Sequence, residues 1–551
     1  MLQEKRPWLS IYGGKLSDKP IEGSLTEYLE GAVGKYQDHI ALTQGERRVS
    51  YRELLDLSEK MAAALSEAGF KKGDRVGLML PNCPEYVIGF FVPMRIGAAA
   101  TQVNPLYVGR ELEHIFNNSR SETVIVHAMM YDKVKDIQRH TALERVIVVG
   151  KPEGGPHDDD TTFDDSLSSA SGSAPEVEIN PHEDLASIQY TGGTTGVSKG
   201  AMLTHANLLG GVQQTIDLLI EDPSNFPENG KAVAVAPFFH IFGMTMVLLF
   251  GFRHGWNLLL VPKFQPDEMM QLIKREKPVM LAGVATIYMA LHSYPDMEEY
   301  GLDEVLLYTS GGASVPVGLL NSFKRRTGRD IWEGYGLSEG APVSFNTYLK
   351  GSVGGSIGVP IPGTDVRIVD TETGEKEMPF GEPGELTVKG PQVMKGYWQM
   401  PEETAKTLRD GWLYTGDITR MDEEGYLYIV DRKKDMINAS GFKVYPREVE
   451  EVLYQHEEVV EAVAVGVPDE YRGETVKAFV VRKPGSTATE EELVSYCKEN
   501  LAPYKVPKVL EFRDELPKSA VGKLLRRVLA DEEREKKAEA SPKSGKGVEG
   551  Q

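Results

Sequence analysis

Short apolar runs separated by helical patterns restrict the fold of this chain more than any other feature. Between about residues 40 and 340 these runs are rich in β-branched and aliphatic residues on both faces. They read RVGLML, TVIVHA, RVIVVG, AVAVAP, WNLLLVP, VMLAGV and VLLYTSGG. Strands that are apolar on both faces and alternate with helices are typical of parallel sheets covered on both sides. The sequence therefore predicts an α/β architecture.

The pattern changes twice further along the chain. After Gly358, short strands with dense turn residues, such as TDVRIVD and GYLYIVD, indicate a small antiparallel or barrel-like subdomain. Beyond Lys434, the order helix, strand, strand, helix, strand indicates a compact α+β unit of about a hundred residues. From Ala530 onward, the lack of apolar periodicity predicts disorder. The predicted division is an N-terminal domain over residues 1–433, a C-terminal domain over residues 434–529 and a disordered tail over residues 530–551.

Composition and charge disfavour several classes of partner. The 551 residues include 61 basic and 82 acidic ones, a net charge of -21, which a nucleic-acid backbone or an anionic membrane surface would repel. The two cysteines, Cys83 and Cys497, lack the spacing of a zinc site or a disulfide framework, so we expect a cytoplasmic protein. The start of the chain lacks a signal peptide, and no apolar run approaches the ~20 residues of a membrane-spanning helix. Peripheral membrane contact and a homodimer stay open.

The stretch YTGGTTGVSKG, which follows the apolar run LASIQ, has the composition of an anion-binding loop. Glycine permits the backbone dihedral angles that let N–H groups converge on an anion. The hydroxyl groups of Thr191, Thr194 and Thr195 add donors, and Lys199 adds a positive charge. The nucleotidase pattern G-x-x-x-x-G-K-[ST] is not matched, because no glycine is followed directly by lysine and a hydroxyl residue. Taken alone, such a loop is more often a flexible turn of small residues.

Further segments carry groups suited to a nucleotide. In EGYGLSEG, the ring of Tyr335 would stack on adenine and the hydroxyl of Ser338 would bond the α-phosphate. Glu339 would hold a magnesium ion that neutralises the triphosphate. In YTGD, Asp417 stands at a strand–turn boundary, where its carboxylate would accept hydrogen bonds from both ribose hydroxyls. Arg432, in DRKKD, would reach the same sugar.

One basic segment near the end completes the set. In PKSAVGKLLRR, Lys523 follows a glycine and precedes two arginines. Runs of charge are usually solvated, so we interpret Arg526 and Arg527 as surface residues.

Together and in this order, these segments resemble the adenylate-forming superfamily of acyl-CoA synthetases, adenylation domains and beetle luciferases. The resemblance extends from about Tyr51 to Arg527 and is greatest to bacterial fatty-acid–CoA ligases. It is carried by NPLY, GAMLTHANL, EGYGLSE, VMKGYW, DGWLYTGD, DRKKDMI and VYPREVEEVL. It implies a large N-terminal domain of two α/β subdomains and a small distorted β-barrel, followed by a smaller mobile α+β domain.

The resemblance also implies roles for particular residues. Thr191 and Glu339 would bind magnesium, and Lys523 would bridge the acyl carboxylate and the α-phosphate of ATP. His240 would lie at the mouth of an acyl pocket lined by HIFGMTMVLL and LAGVATIYMA, where the alternative is an ordinary core histidine. The C-terminal domain would swing about Lys434. The predicted cofactor-binding residues are Thr191, Gly192, Gly193, Thr194, Thr195, Gly196, Lys199, Gly312, Ala313, Glu333, Gly334, Tyr335, Gly336, Ser338, Asp417, Arg432, Lys434, Gly441 and Lys443.

The implied activity is ATP-dependent conversion of a fatty acid to its acyl-adenylate, with release of pyrophosphate, and then transfer to CoA. Free CoA is favoured as the acceptor because a polar tail, and no carrier domain, follows Lys523. Gly441 would let the pantetheine arm pass. Asn438 stands where some long-chain enzymes carry lysine, so the contacts at that position are in doubt. Two alternatives remain: an aryl or short-chain acid CoA ligase of the 4-coumarate type, and a non-enzymatic adenylate-binding protein.

Overall fold

The computed structural model describes residues 6–12, 22–191, 198–220, 223–439, 442–469, 473–519, 522 and 524–540. The strands, numbered in chain order, are β1 (Ile40–Gln44), β2 (Arg47–Ser50), β3 (Arg75–Met79), β4 (Ala99–Gln102), β5 (Thr123–His127), β6 (Arg145–Val149), β7 (Thr161–Thr162), β8 (Leu185–Tyr190), β9 (Gly200–Thr204), β10 (Lys231–Ala234), β11 (Asn257–Leu260), β12 (Met280–Gly283), β13 (Leu307–Ser310), β14 (Ile331–Leu337), β15 (Gly340–Phe345), β16 (Val359–Pro360), β17 (Asp365–Val369), β18 (Gly384–Lys389), β19 (Leu408–Arg409), β20 (Trp412–Met421), β21 (Leu427–Arg432), β22 (Ile437–Ala439), β23 (Phe442–Val444), β24 (Val459–Asp469), β25 (Gly473–Arg482) and β26 (Val509–Phe512).

The α-helices are α1 (Leu9–Tyr12), α2 (Leu25–Tyr36), α3 (Tyr51–Glu67), α4 (Pro84–Arg95), α5 (Gly109–Ser119), α6 (Tyr131–Gln138), α7 (Phe163–Ser169), α8 (His205–Leu219), α9 (Ile241–Gly243), α10 (Phe250–Arg253), α11 (Pro266–Glu276), α12 (Ala285–His292), α13 (Val317–Thr327), α14 (Pro401–Thr407), α15 (Pro446–Tyr454), α16 (Glu490–Asn500) and α17 (Arg526–Ala540). A π-helical stretch, Met244–Leu249, joins α9 to α10.

Two largely parallel sheets form the larger part of the molecule. The nine-stranded sheet has the order β16-β15-β14-β13-β12-β10-β11-β1-β2, and the seven-stranded sheet has the order β7-β6-β5-β3-β4-β8-β9. The seven apolar runs of the sequence form β3, β5, β6, β10, β11, β12 and β13, and each pairs in parallel with a neighbour. The α/β prediction is therefore confirmed.

Helix α4 lies between the two sheets and joins their cores. It contacts β1 of the nine-stranded sheet and β3 and β4 of the seven-stranded sheet. Its sequence PEYVIGFFVPMR is apolar on every side, and every residue except Arg95 is buried. A helix that is apolar all round needs cover on all sides, and the two sheets supply it.

Antiparallel strands make up the rest of the fold, as predicted. Every pairing among β17, β18, β19, β20 and β21 is antiparallel. Beyond Lys434, the hairpin β22–β23 precedes the predicted order of helix, strand, strand, helix and strand, which is α15, β24, β25, α16 and β26. β24 and β25 pair in antiparallel register, and β26 joins β25 in parallel.

The prediction of disorder from Ala530 onward is wrong for residues 530–540, which continue α17. The helix is held to the C-terminal sheet because Leu529 is buried in a cluster with Val463 and Phe479. Lys477, on β25, also forms an ion pair of 2.8 Å with Glu533. Residues 541–551 lie outside the described residues. Neither this helix nor any other within the described ranges is long and apolar enough to cross a membrane.

Candidate active site

The glycine-rich stretch connects β8 to β9 at one edge of the seven-stranded sheet. β8 ends at Tyr190, as the sequence predicts, and β9 begins at Gly200 and runs antiparallel to it. At the base of the connection, the N–H of Thr191 donates to the carbonyl of Lys199 at 2.9 Å. The hydroxyl of Ser198 also donates to the carbonyl of Thr191. Five predicted loop residues, Gly192, Gly193, Thr194, Thr195 and Gly196, lie outside the described residues.

Ser338 and Glu339 form the turn between β14 and β15, where Leu337 pairs with Gly340. The Tyr397 hydroxyl donates to Oε1 of Glu339 at 2.6 Å. Glu339 is partly buried; desolvation by the surrounding protein raises the pKa of its carboxyl group, and the hydrogen bond from Tyr397 opposes that shift. The turn thus presents a carboxyl group that Tyr397 helps to keep ionised.

Residues 393–398 join this turn to the strand that leaves the glycine-rich loop; we call them the bridging segment. On one side, the N–H of Met394 donates to the carbonyl of Glu339 at 2.8 Å. On the other side, the segment exchanges backbone hydrogen bonds with β9, including Trp398 N–H to the Gly200 carbonyl at 2.8 Å. The phosphate-loop strand and the Glu339 turn are therefore fixed relative to each other by main-chain bonds.

The side chain of Lys199 lies beside the bridging segment, next to Tyr397. Its ammonium group lies 2.5 Å from a carboxylate oxygen of Glu403 and 5.0 Å from the centre of the Tyr397 ring. Glu403 stands in the first turn of α14. The hydrogen bond from Lys199 lowers the pKa of Glu403 to about 2. The structure thus brings together Lys199 and Glu339, which the sequence predicts, with Tyr397 and Glu403, which it does not.

A second group of predicted residues meets on β14, β20 and β21. Asp417 and Arg432 are paired across β20 and β21, with Arg432 Nε 3.4 Å from Asp417 Oδ1. The Tyr335 hydroxyl donates to Asp417 Oδ2 at 2.5 Å. The expected strand–turn boundary at Asp417 is wrong, because β20 runs from Trp412 to Met421. Gly416 adopts a φ of 73°, which bends the strand locally without ending it.

Glu333, Gly312 and Ala313 lie where β13 and β14 run side by side. Ser310 of β13 is in register with Glu333, and the N–H of Val315 donates to Glu333 Oε1 at 2.8 Å. Burial raises the pKa of Glu333 to about 7. Its Oε2 atom is buried and has no hydrogen-bond partner among the residues that the structure describes. Glu333 thus carries one carboxyl oxygen that no described residue satisfies.

Two predicted glycines on β14 are required by close packing. A Cβ atom at Gly334 would lie 2.4 Å from the ring of Phe345, and one at Gly336 would lie 3.0 Å from the side chain of Ala341. Any larger residue at these positions would separate β14 from β15. Both glycines therefore set the geometry of the strand that carries Tyr335 and Glu339.

Both segments predicted to line an acyl pocket contribute to one cavity. His240, Phe242 and Gly243 line it from the first segment and Val284 from the second. The remaining lining residues are Ala236, Pro237, Gly311 and Gly312. His240 is half-buried, and its Nδ1 accepts from the Phe242 N–H at 3.4 Å. Gln189, on β8, donates to the carbonyl of Phe239 at 2.6 Å and so ties this cavity to the strand before the glycine-rich loop.

The C-terminal unit reaches the same cavity. A Cβ atom at Gly522 would lie 2.6 Å from the Thr286 hydroxyl and 3.3 Å from Val284, a residue of the cavity wall. Lys523 and Gly441 lie outside the described residues. Lys443 is exposed and donates to the Thr371 hydroxyl at 3.4 Å.

Lys434 and its neighbours form the junction between the two units. The side chain of Lys434 is exposed to solvent, and desolvation by the surrounding protein lowers its pKa to about 8. Arg526 lies 3.2 Å from Asp431, 3.1 Å from Asp435 and 2.8 Å from Glu450; we call these four residues the hinge cluster. The interpretation of Arg526 as a surface residue is therefore wrong, because three carboxylates surround its guanidinium group.

Arg527 behaves differently from its neighbour. Its side chain is about half exposed and forms an ion pair of 3.1 Å with Asp531 one turn further along α17. This agrees with the interpretation of Arg527 as a surface residue.

The donor set fits a magnesium ion that arrives with a nucleotide. Within the described ranges, no group of three or more His, Cys, Asp or Glu residues could hold a metal ion. A single carboxylate such as Glu339, beside hydroxyl and phosphate oxygens, is how Mg²⁺ is commonly bound with nucleotides. Thr191, whose hydroxyl accepts from the Lys199 N–H at 3.4 Å, is the second candidate.

The class of protein follows from this arrangement and from matches to two family models. Residues 29–398 match the model of AMP-binding enzymes, and residues 448–523 match the model of the AMP-binding enzyme C-terminal domain. The chain belongs to the AMP-binding enzyme family.

Several proteins that are similar over nearly the whole chain are acid–CoA ligases. The long-chain-fatty-acid–CoA ligase of Bacillus subtilis is 40% identical over 97% of this chain and 99% of its own length. That of Escherichia coli O6:H1 is 41% identical over the same shares. The 4-coumarate–CoA ligase 1 of Solanum tuberosum is 34% identical over 94% of this chain and 96% of its own length.

Solved structures match the fold. The anthranilate CoA ligase AuaEII in complex with anthranoyl-AMP has a TM-score of 0.87 at 29% identity, covering 95% of this chain and 99% of that one. ATP-bound MatB from Rhodopseudomonas palustris has a TM-score of 0.82 at 31% identity, covering 92% and 98%. The apo structure of MatB scores 0.73. The arrangement of the present chain is thus nearer to the ATP-bound structure than to the apo one.

Proposed function

We propose that this protein is an AMP-forming fatty acid–CoA ligase. It would convert a long- or medium-chain fatty acid and ATP to acyl-adenylate and pyrophosphate, and then transfer the acyl group to CoA. The observation that carries the proposal is the meeting of Lys199 and Glu339 across the bridging segment, in a chain whose full-length relatives are long-chain-fatty-acid–CoA ligases. The small cavity tied to β8 has a mainly apolar lining with His240 at its wall, which favours an uncharged acyl group over a charged one.

The chemistry explains why such a site collects positive charge. A carboxylate is a poor acyl donor, and joining it to AMP provides a far better leaving group. The attack brings a carboxylate up to a triphosphate, so cations and fixed dipoles must offset the repulsion. Lys199 would bind the β- and γ-phosphates together with the backbone of the glycine-rich loop, and Lys523 would bridge the acyl carboxylate and the α-phosphate.

The metal and the nucleoside each have candidate partners. Magnesium, when bound, would neutralise phosphate charge, and Glu339 and Thr191 would hold it. Asp417 would accept hydrogen bonds from the ribose hydroxyls, with Arg432 and the Tyr335 hydroxyl fixing its carboxylate. Gly312, Ala313, Gly334, Gly336 and Ser338 would border the nucleotide.

Glu333 is the candidate partner of the adenine ring. Its buried Oε2 atom would accept from the adenine amino group, which would satisfy the lone carboxyl oxygen noted above. The pKa of Glu333 is about 7, and its hydrogen bond with the adenine amino group would be strongest above that pH, where the carboxyl group is ionised.

The second step would use the C-terminal unit in another orientation. After adenylation, rotation about Lys434 would withdraw Lys523 and present the segment that contains Gly441 and Lys443 to the arriving CoA. Both cysteines are free and buried, which agrees with the cytoplasmic location that we infer.

A substrate panel tests the proposal. Purified protein with ATP, magnesium and CoA should release AMP with palmitate but not with coumarate or acetate. Release with coumarate alone would instead support the aryl-acid alternative, for which the 34% identical 4-coumarate–CoA ligase argues. Failure to exchange labelled pyrophosphate into ATP with any acid would support a non-enzymatic adenylate-binding protein.

A further inference from the structure

Tyr397, in the bridging segment, lies between two charged groups that the proposed function assigns to ATP. Its hydroxyl donates to Glu339 Oε1 at 2.6 Å, and its ring centre lies 5.0 Å from the ammonium nitrogen of Lys199. The residue is buried, with 6% of its surface exposed. A single side chain therefore contacts the carboxylate and the ammonium group from one fixed place.

The backbone around Tyr397 leaves it little freedom. Its own N–H donates to the hydroxyl of Thr404 at 2.9 Å, and that hydroxyl donates to the carbonyl of Met400 at 2.9 Å. Gly396 has a φ of 144°, and a Cβ atom there would lie 2.8 Å from the Thr404 side chain. The phenol is thus anchored through the start of α14 on one side and through β9 on the other.

The charge state of the pair suits a fixed donor. The phenol of Tyr397 is the donor and the carboxylate of Glu339 is the acceptor. A neutral donor to an ionised acceptor makes a stronger hydrogen bond than two neutral groups do. Because only Oε1 accepts from Tyr397, the carboxylate retains capacity to bind a cation.

We infer that Tyr397 is a positioning residue for the adenylation step: its hydroxyl holds Glu339 as an oriented carboxylate for the metal–nucleotide complex, and its ring supports Lys199 beside the phosphates. The inference rests on the proposed function, since it assumes that Glu339 and Lys199 bind a metal-bearing triphosphate. The bridging segment, VMKGYW, would therefore orient Glu339 for the metal–nucleotide complex in addition to joining β9 to the Glu339 turn.

The variant Tyr397→Phe tests it, because it removes the hydroxyl and keeps the ring. The affinity of the protein–ATP complex for Mn²⁺, measured by electron paramagnetic resonance with the full-length chain, should weaken about tenfold, as expected for the loss of a hydrogen bond to a charged group. Thioester formation from supplied acyl-adenylate and CoA should stay within about twofold of the parent. The acyl-adenylate arm needs no ATP and so reports the general integrity of the site.

Tyr428→Phe is the matched control. Tyr428 also donates to a carboxylate, Asp422 at 3.0 Å, and also carries a cation, Arg420, 4.0 Å above its ring. It lies on β21, outside the residues assigned to the nucleotide. Its loss should leave Mn²⁺ affinity unchanged. Equal weakening by both variants, or none by Tyr397→Phe, would overturn the inference.

A double mutant separates a positioning role from a structural one. If Tyr397 acts through Glu339, adding Tyr397→Phe to Glu339→Gln should change Mn²⁺ affinity by less than about twofold. An additional tenfold loss would contradict the inference, since Tyr397 would then act by another route. If the parent protein bound no Mn²⁺ with ATP, the proposed function itself would fail. If the parent bound it and Tyr397→Phe bound it equally well, only the inference would fail.

Discussion

The bridging segment and the hinge cluster hold parts of the same site together by different means. The bridging segment joins β9 to the Glu339 turn through main-chain hydrogen bonds, and buried backbone groups must keep such partners to stay satisfied. In the hinge cluster, Arg526 of the C-terminal unit is joined to Asp431 on β21, while Asp435 and Glu450 bind Arg526 from within the C-terminal unit. Side-chain ion pairs can exchange their partners for water without unfolding the backbone. The comparison indicates that the N-terminal part of the site, held by the bridging segment, is fixed. The C-terminal part, held by the hinge cluster, is able to move away.

The largest expected effect on a reaction rate comes from Lys523, in the movable C-terminal unit. If Lys523 acts only in the adenylate-forming orientation, Lys523→Ala should lower acyl-adenylate formation about a thousandfold, or about 4 kcal/mol of barrier, by removing an electrostatic stabiliser. Thioester formation from supplied acyl-adenylate should survive within a few-fold. Pyrophosphate exchange and single-turnover acyl transfer measure the two steps separately.

A second lysine of the C-terminal unit supplies the control for this prediction. Lys518 is paired with Glu461 at 2.6 Å and is assigned no role in either step, so Lys518→Ala should leave both rates unchanged. If Lys523→Ala lowered the two half-reactions equally, the comparison between a fixed and a movable half would be wrong.

The hinge cluster itself gives the next effect. Arg526→Ala would leave Asp431, which is buried, and Glu450 without their shared cation, and we expect a loss of about 3 kcal/mol in the free energy of unfolding. Arg527→Ala removes the adjacent, half-exposed arginine and should cost less than about 1 kcal/mol. Urea denaturation of the two variants measures the difference. Equal losses would mean that the hinge cluster is an ordinary surface network.

The fold was predictable because the residues within each strand show whether that strand is buried on one face or on both. A strand covered on both faces must be apolar at every position, so the seven runs from RVGLML to VLLYTSGG reveal their environment without reference to any other part of the chain. The turn-rich strands after Gly358 and the order of elements after Lys434 follow for the same reason. The end of the chain was misjudged because α17 depends on one buried residue, Leu529, and on an ion pair with Lys477, neither of which has periodicity.

The site was predictable only where a motif carries the residue. Glu339, Asp417 and Lys199 stand in recognisable segments and do meet other predicted groups. Tyr397 was missed although its motif was noted, because its partner Glu339 is 58 positions away. Glu403 is 204 positions from Lys199, and Arg526 is 95 from Asp431. Such pairs are created by tertiary approach, and no spacing within one segment signals them.

Acid provides a smaller effect through two histidines of the N-terminal domain, His205 and His254. Burial lowers the pKa of His205 and of His254 to about 4. Each remains neutral in the folded protein while it binds a proton in the unfolded chain below about pH 6.5, so stability is lost as pH falls from 6.5 towards 4. At pH 5.5 the expected loss is roughly 1.4 kcal/mol for each histidine.

His205→Asn tests the assignment. Nδ1 of His205 accepts from the Leu25 N–H at 3.1 Å, and an asparagine oxygen offers a similar acceptor that does not titrate. The difference in unfolding free energy between pH 7 and pH 5.5 should shrink by about 1.2 kcal/mol in this variant. An unchanged pH dependence would show that His205 is not the group that titrates.

The smallest effect concerns a side-chain ion pair within the N-terminal domain, Lys199–Glu403. Lys199 is held by Glu403, and both side chains are about one-third exposed, so the pair adds little to stability. If the triphosphate of ATP must displace Glu403 from its ion pair with Lys199, Glu403 competes with ATP as an anion. Removing that anion in Glu403→Gln should then tighten ATP binding by about twofold to fivefold. Glu402→Gln, on the exposed side of the same first turn of α14, should leave the Kd for ATP unchanged. Isothermal titration with ATP measures both variants. Weaker binding in Glu403→Gln would mean that Glu403 orients Lys199 for the nucleotide, and the ion pair would then belong with the main-chain bonds as part of the fixed geometry.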